Sequence, residues 1–207
     1  MHLADPASVL LTKSDARTLA VLCATTRGLS GREVAQLTGM AHGSVWRSLR
    51  RFVEHGLVIE EEAGGRTLLY RLNREHVAAD AVIALGHSRA ELLDRIRMSI
   101  EAWRLPPVHA WVFGSMARGD GDTASDIDIL VIRPEGAGEE DPDWRAQVQE
   151  LASAVERWSG NDAGIADLPE AAISGLRADR PPVIEELLAD AITLAGAPVA
   201  TVFGSRD

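Results

Sequence analysis

The chain of 207 residues is 46% hydrophobic and 25% charged, which is typical of soluble globular domains and allows one large domain or two small ones. No apolar run approaches the roughly 18 residues of a membrane helix, and the N-terminus lacks a secretory pattern, so we expect a cytoplasmic protein. Cys23 is the only cysteine, so we expect no internal disulfide. The net charge of −10 is uneven: residues 1–74 carry ten Lys or Arg and seven Asp or Glu, whereas residues 75–207 carry eleven and twenty-four. The first part can approach a polyanion, and the second requires cations to do so.

Three short helices are predicted near the N-terminus. Apolar residues at helical spacing indicate the first helix, and Ser30 with Glu33 three positions later forms a capping box that starts the second. Gly39 ends the second helix and opens a turn before the third. The predicted helices cover residues 14–26, 31–38 and 44–55.

The third predicted helix has one apolar and one basic face. The apolar face follows the i, i+4, i+7, i+8 spacing of a buried stripe, in Val45, Leu49, Phe52 and Val53. The other face is a polar and cationic ridge of Ser44, Arg47, Ser48 and Arg51, with Arg50 beside it. Such a ridge is suited to DNA, and the alternative is that these arginines only solvate an exposed helix face.

A β-hairpin is predicted after the third helix. Two runs of strand character, 57–60 and 68–72, flank a turn at residues 64–66, and Arg66 gives this turn a basic tip. Three helices followed by a hairpin resemble, over residues 12–74, the winged helix-turn-helix of small bacterial transcription regulators. The resemblance implies that the third helix enters the major groove of double-stranded DNA while the hairpin lies along phosphates, and the alternative is a protein–protein module. The predicted DNA-binding residues are Ser44, Arg47, Ser48, Arg50, Arg51 and Arg66.

Residues 76–104 are predicted to form a linker helix between an N-terminal domain, 1–75, and a C-terminal domain, 105–207. Gly86 is expected to break or bend this helix. Its apolar side chains have two interpretations: they form the contact of a homodimer, which would match two DNA half-sites, or they pack within the chain. These side chains are Val82, Leu85, Leu92, Leu93, Ile96 and Ile100.

The C-terminal domain is predicted to contain two buried strands with a glycine-containing turn between them. The run 108–113 is apolar and of strand length, and it ends in Gly114 and Ser115. The second strand places Asp126 and Asp128 on one face, because residues i and i+2 of a strand point the same way. Two such carboxylates can bind hard cations such as Mg²⁺, and a backbone that contains glycine can approach a phosphate closely.

The sequence GSMARGDGDTASDIDILV resembles the signature of DNA polymerase beta-like nucleotidyltransferases, and in particular of the minimal nucleotidyltransferases. Ten residues separate Gly114–Ser115 from the paired aspartates. The resemblance covers residues 105–198 and implies a small α/β domain, so that the whole chain is predicted to be an α+β protein. It implies nucleotide binding by Gly114, Ser115 and Arg118, with the alternative that Arg118 pairs with an aspartate of the following loop.

The resemblance further implies transfer of a nucleoside monophosphate from an NTP, with ATP expected, to an acceptor, and a Mg²⁺ site of three carboxylates. Asp126 and Asp128 are two of these catalytic and metal-binding residues. Asp167, on a strand predicted at residues 163–168, is the candidate for the third. In an alternative register the family's carboxylate position aligns with Gly164, and Asp162 lies before the strand. A separate alternative is that Asp167 only caps the helix that follows.

Three functions are compatible with this arrangement. A metal-dependent nucleotidyltransferase joined to a DNA-binding module resembles an antitoxin of the toxin–antitoxin type, for which the acceptor is a helical protein partner. The rival is a transcription regulator whose transferase-like domain binds nucleotide without efficient catalysis. A small-molecule transferase of the aminoglycoside-modifying type is disfavoured, because a DNA-binding module has no evident use there.

Overall fold

A computed structural model of the chain describes residues 1–65 and 67–204. It is a mixed α+β structure with two separate small sheets, which confirms the predicted fold class. The chain divides into two compact units: residues 4–89 form the first, together with His2, and the chain from residue 90 onward forms the second, together with Met1 and Leu3. Within the described ranges, every helix is too short or too polar to cross a membrane.

The first unit packs helices around a small antiparallel sheet. The strands lie in the order β1–β3–β2, so the predicted hairpin is present and one further strand, too short for a periodicity to reveal, is added to it. The order of elements is that of a winged helix-turn-helix. After a short 3-10 helix at Pro6–Val9, these are α1 (Lys13–Cys23), β1 (Leu29–Ser30), α2 (Gly31–Thr38), α3 (His42–Glu54), β2 (Val58–Ala63), β3 (Thr67–Leu72) and α4 (Ala79–Gly86).

Local sequence sets the ends of these helices. The predicted capping box is present: the Ser30 hydroxyl accepts from the amide of Glu33, and the Glu33 carboxylate accepts from the amide of Ser30 at 2.8 Å. Gly39, at a φ of +63°, ends α2 in the left-handed region. Because α3 begins at His42, two residues before its predicted start, the turn between the two helices is shorter than expected.

The predicted apolar stripe of α3 forms part of the core of the first unit. Val45 and Leu49 are fully buried, and they share this core with Leu22 of α1 and Tyr70 of β3. The stripe therefore fixes which side of α3 faces inward and which side is left for a partner.

The predicted linker helix is divided into two helices. The first, α4, ends at Gly86, and the second, α5, runs from Ser88 to Glu101, so the break lies where the glycine predicts it. Val82 packs against the core of the first unit, whereas four other members of the apolar stripe lie in the core of the second: Leu92, Leu93, Ile96 and Ile100. This burial favours packing within the chain over a dimer contact.

The second unit is a four-stranded sheet with helices on both faces. In the order β6–β5–β4–β7, the pair β5–β6 is parallel and the other two pairs are antiparallel. One face packs on α5 and α7, and the opposite face packs on α9 and α10. After α5, the elements are β4 (His109–Phe113), α6 (Gly114–Arg118), β5 (Ile127–Arg133), α7 (Pro142–Ser159), β6 (Ala163–Pro169), α8 (Ala172–Asp179), α9 (Pro182–Asp190), β7 (Ile192–Ala195) and α10 (Val199–Phe203).

Candidate functional site

The two aspartates of the predicted motif lie at the start of β5. Asp126 directly precedes the strand and is exposed, whereas Asp128 is the second residue of β5 and is half-buried. Asp128 pairs with Phe113 on β4 and with Gly164 on β6. Because paired residues of neighbouring strands share a face, the space above Gly164 lies beside the Asp128 carboxylate.

The backbone of Gly114 lies directly against Asp128. Gly114 begins α6 at a φ of +68°, a conformation that residues with a side chain rarely adopt. A Cβ at this position would lie 2.9 Å from Oδ2 of Asp128. Gly114 therefore turns the chain from β4 into α6 and also leaves room for the carboxylate beneath it.

The carboxyl group of Asp128 lies in an unfavourable electrostatic environment. Burial raises its pKa above the usual value, and the negative charges of Asp126 and Glu186 raise it further, while Arg118 opposes them. Glu186 lies on α9 and belongs to no motif of the sequence, so only the fold reveals its proximity. A cation at this place would relieve the repulsion among the three carboxylates.

The surroundings of Asp128 fit a hard divalent cation. Asp126 and Asp128 supply oxygen ligands, and glycine backbone flanks both oxygens of Asp128, since a Cβ at Gly164 would lie 3.3 Å from Oδ1. In residues 1–65 and 67–204, no group of three or more His, Cys, Asp or Glu forms a metal cage. Among the described residues the site thus offers the carboxylates of Asp126 and Asp128, and one or two carboxylates are a ligand set that Mg²⁺ accepts in proteins.

Asp167 does not join the two aspartates. Its partner in the register is Val131, three residues beyond Asp128, so its side chain points to the opposite face of the sheet. There Oδ2 of Asp167 accepts hydrogen bonds of 2.9 Å from Arg133 and from the indole of Trp144. The prediction that Asp167 is the third catalytic and metal-binding carboxylate is therefore wrong, because these bonds use it to anchor α7 to the sheet.

The position beside Asp128 on β6 belongs to Gly164, which is the alternative register that the sequence left open. Gly164 has no side chain to offer a cation. The nearby Asp162 contributes its carbonyl, which accepts from the amide of Ile127 at 2.8 Å. The site therefore differs from the three-carboxylate site that the resemblance implies.

Arg118 and Ser115 shape the loop that follows α6. The Arg118 guanidinium donates to Asp190 at 2.8 Å and to Asp120 at 3.1 Å, which is the loop pairing considered as the alternative to phosphate binding. The Ser115 carbonyl accepts from the amides of Gly119 and Asp120, at 2.9 and 3.1 Å. Arg118 is thus occupied by two carboxylates in this conformation.

Two members of the predicted basic ridge of α3 face α1. Ser48 is 3% exposed, and its hydroxyl lies 3.1 Å from that of Ser14. Arg51 forms an ion pair of 2.5 Å with Asp15, whose side chain is 4% exposed. Ser48 is therefore withdrawn from the surface, whereas the Arg51 side chain stays 47% exposed while its guanidinium is paired with Asp15.

The outer face of α3 is formed by Trp46, Arg47 and Arg50. Trp46 is 51% exposed, and the Arg50 guanidinium lies 5.7 Å from the centre of its ring. Arg47 donates to the hydroxyl of Ser44 at 3.3 Å. Trp46 is not part of the predicted ridge, although its i, i+4 spacing from Arg50 indicates a shared face.

The described strands of the hairpin carry more acidic than basic side chains. Arg66, the predicted basic tip, lies outside the described residues. On the described strands, β2 carries a run of glutamates, and Arg71 of β3 bonds to Glu61 at 2.8 Å. On α3, by contrast, Arg47, Arg50 and Arg51 place three exposed guanidinium groups on one helix.

Comparisons with known proteins give one match that bears on the site. The family model described as a nucleotidyltransferase domain matches residues 95–169, which include β4, α6, β5 and β6. None of the curated proteins matches the chain. The matched residues are less than half of the chain, and they lie entirely within the second unit.

Solved structures resemble the chain only distantly. A crystal structure of a toxin–antitoxin with AMP-PNP is 18% identical and covers 54% of this chain and 80% of its own, at a TM-score of 0.38. A MarR-family transcriptional regulator from Rhodococcus sp. RHA1 is 21% identical and covers 48% of this chain and 80% of its own, at a TM-score of 0.32. Such low TM-scores support no conclusion about function. The family match supports a general one: residues 95–169, which carry Asp126 and Asp128, are similar to a nucleotidyltransferase domain.

Proposed function

We propose that the second unit transfers a nucleotidyl group from a nucleoside triphosphate, with a divalent cation bound by Asp126 and Asp128. One observation carries the proposal: Asp128 is half-buried against Gly114, while Asp126 and Glu186 raise its pKa. Such a concentration of negative charge is unfavourable unless a cation offsets it. Sites of this kind are where binding and catalysis are most often found.

Each residue of the motif has a part in this proposal. Asp126 and Asp128 hold Mg²⁺, which supplies charge neutralisation of the triphosphate and polarises the phosphoryl group under attack. The backbone of Gly114 lies beside Asp128, and in this proposal Gly114 and Ser115 contact phosphate oxygens. Arg118 holds the following loop through Asp120 and Asp190. The resemblance stated above favours ATP as the nucleotide and a helical protein as the acceptor.

We also propose that the first unit binds double-stranded DNA through the outer face of α3. Arg47 and Arg50 are exposed on that face beside Trp46, and the first 74 residues carry an excess of positive charge, unlike the rest of the chain. Cationic side chains contribute phosphate contacts, while an exposed indole can contact bases in a groove. Two copies on two half-sites are expected from the geometry of such modules.

A second candidate function is supported by Gly164. β6 offers no carboxylate beside Asp128, and Asp167 lies on the opposite face, so this strand supplies no group to help activate an acceptor; the other acidic neighbour of Asp128 is Glu186 on α9. A two-carboxylate site can still bind a cation with a triphosphate. The second candidate is therefore a DNA-binding regulator that responds to nucleotide without efficient transfer.

Transfer and sensing are separated by one labelling experiment. The protein is incubated with α-³²P-labelled ATP or the other NTPs, Mg²⁺ and the products of neighbouring genes, and an Asp126→Asn/Asp128→Asn variant is the control. Label on an acceptor with the parent, but not with the variant, supports transfer. Mg²⁺-dependent binding of the triphosphate without label supports the sensor, and the absence of both contradicts the proposal for this unit.

A further inference from the structure

The loop of residues 119–126 brings Asp126 to the site and is held from beneath by a buried amide. This amide belongs to Asn161, which is 2% exposed and lies at the turn between α7 and β6. Its Nδ2 donates to the carbonyl of Asp122 at 3.0 Å and to the carbonyl of Ser125 at 2.9 Å. One side chain thus binds the loop at two points, the second of them immediately before Asp126.

The turn that carries Asn161 is itself fixed. Gly160, at a φ of +72°, ends the 18-residue helix α7. The backbone N–H of Asn161 donates to the Ser159 hydroxyl at 3.0 Å, and this hydroxyl donates to the carbonyl of Val155 at 2.7 Å. The Asn161 side chain therefore stands on the end of a long, packed helix.

The same turn begins the pairing of β5 with β6. The amide of Ile127 donates to the carbonyl of Asp162 at 2.8 Å, and Ile127 pairs with Ala163. The backbone of Asp126 thus lies between two bonded groups, the Ser125 carbonyl and the Ile127 amide. Residues bonded on both sides to one rigid turn have little backbone freedom.

We infer that Asn161 is a positioning residue for the cation site, because it holds the loop so that the carboxylate of Asp126 stays beside that of Asp128. The inference rests on the function proposed for this site. Asp126 is exposed and lies outside the strand, so its repulsion with Asp128 tends to push it into solvent. The two bonds from Asn161 oppose that movement, and at a buried site such bonds are costly to lose.

The other polar contacts of the loop differ from those of Asn161. The amide of Asp122 donates to the Ser125 hydroxyl at 3.0 Å, and the amide of Ala124 donates to Oδ1 of Asp122 at 2.9 Å. Both bonds lie within the loop and shape its tip. Arg118 holds the beginning of the loop through Asp120, and Asn161 holds the end from which Asp126 extends.

The test compares Asn161→Leu, which keeps the branching of the side chain and removes both donors together with Oδ1, the acceptor for the Met1 ammonium, with Gln147→Ala. Gln147 is a matched control in the same unit, because its side-chain amide also makes two backbone bonds, with Leu105 at 3.0 and 3.1 Å. Asn161→Ala, which admits water in place of the amide, is the second variant in case the leucine disturbs folding. Hydrogen exchange of the 119–127 backbone is measured without metal, and Mn²⁺ affinity is measured from the resonance of free Mn²⁺.

We expect both Asn161 variants to speed hydrogen exchange of the loop and to weaken Mn²⁺ binding by roughly tenfold. In Gln147→Ala we expect loop exchange and Mn²⁺ affinity to stay at the parent values, whatever the change in Tm. Unchanged loop exchange in the folded Asn161 variants would overturn the inference, and so would faster exchange with parental Mn²⁺ affinity. A parent that binds no Mn²⁺ contradicts the proposed function. Loop exchange then separately shows whether Asn161 holds the loop.

Discussion

At the scale of single residues, the charge of Asp128 is the feature most open to measurement. Its pKa is raised in the folded chain, so ionisation at neutral pH costs stability, and this cost disappears as the pH falls below the raised pKa. We expect Asp128→Asn to raise Tm in buffer with EDTA by a small amount, about 1 °C, because solvent screens a half-exposed group. Calorimetry at pH 7, with the exposed Glu139→Gln as control, checks this, and a lower Tm for Asp128→Asn would contradict it.

Gly114 provides a second prediction at this scale. An alanine at a φ of +68° is strained by about 1–2 kcal/mol, and its Cβ would press on Oδ2 of Asp128. We expect Gly114→Ala to lower the free energy of unfolding by about that amount and to abolish Mn²⁺ binding. Gly136→Ala is the matched control, since Gly136 has open space and no positive φ. Equal Mn²⁺ affinity in the two variants would show that Gly114 does not shape the site.

Asp15 gives a prediction for the first unit. Burial alone would raise its pKa, but Arg51, Thr12 and Ser48 stabilise the ionised form and lower the pKa below its ordinary value. This contribution to stability is therefore present at neutral pH and is lost as the pH falls through the lowered pKa. We expect Asp15→Asn to lose about 1–2 kcal/mol in urea unfolding at pH 7, and much less in strong acid. A variant as stable as the exposed control Asp80→Asn at pH 7 would contradict this.

At the scale of elements, the rotation of α3 sets which of its arginines can reach DNA in the proposed binding mode. Arg50 is exposed beside Trp46, whereas Arg51 is paired with Asp15. We expect Arg50→Ala to reduce the salt dependence of duplex binding by nearly one unit of slope, since each lost phosphate contact removes about that much. Arg51→Ala should lower Tm and leave the slope unchanged. Titration of labelled duplex at several salt concentrations measures the slope for each variant, and thermal unfolding measures Tm. A reduced slope in Arg51→Ala with an unchanged slope in Arg50→Ala would mean that the ridge predicted from the sequence faces DNA.

Some elements of the fold follow from local sequence patterns, and the contacts of α3 do not. The capping box at Ser30, the break at Gly86 and the strands on either side of Gly114 follow from local rules, and the structure confirms them. Two residues of the ridge of α3, Ser48 and Arg51, contact Ser14 and Asp15 of α1, and helical spacing within α3 does not reveal these partners because they belong to another segment.

In the candidate site, too, the sequence predicts the residues that local spacing brings together, and it does not predict those that distant segments bring in. Asp126, Asp128 and Gly114 are set by spacing within one strand–turn–strand segment. The face on which Asp167 lies depends on the register of β5 against β6, and a shift of one residue reverses it. Glu186 and Asn161 approach the site from elements far along the chain, so no local pattern of the sequence indicates them.

At the scale of the whole molecule, the two units carry different charge and different chemistry. Residues 1–74 have an excess of basic groups, while the rest of the chain is strongly acidic and contains the paired aspartates. We therefore predict two separable binding activities: DNA in the first unit, and a cation with a nucleoside triphosphate in the second.

The central claim is tested most directly by the double variant Asp126→Asn/Asp128→Asn. Asparagine keeps the shape of both side chains and removes two negative charges, so the fold and the DNA-binding face are retained while the cation ligands are weakened. Calorimetric titration of parent and variant with Mg²⁺ and ATP or another NTP, followed by duplex titration, is the measurement. We predict that the variant binds duplex like the parent and shows no Mg²⁺-dependent triphosphate binding. A variant that binds Mg²⁺ and triphosphate as tightly as a binding-competent parent would mean that the two aspartates are structural and that the nucleotidyltransferase proposal is wrong.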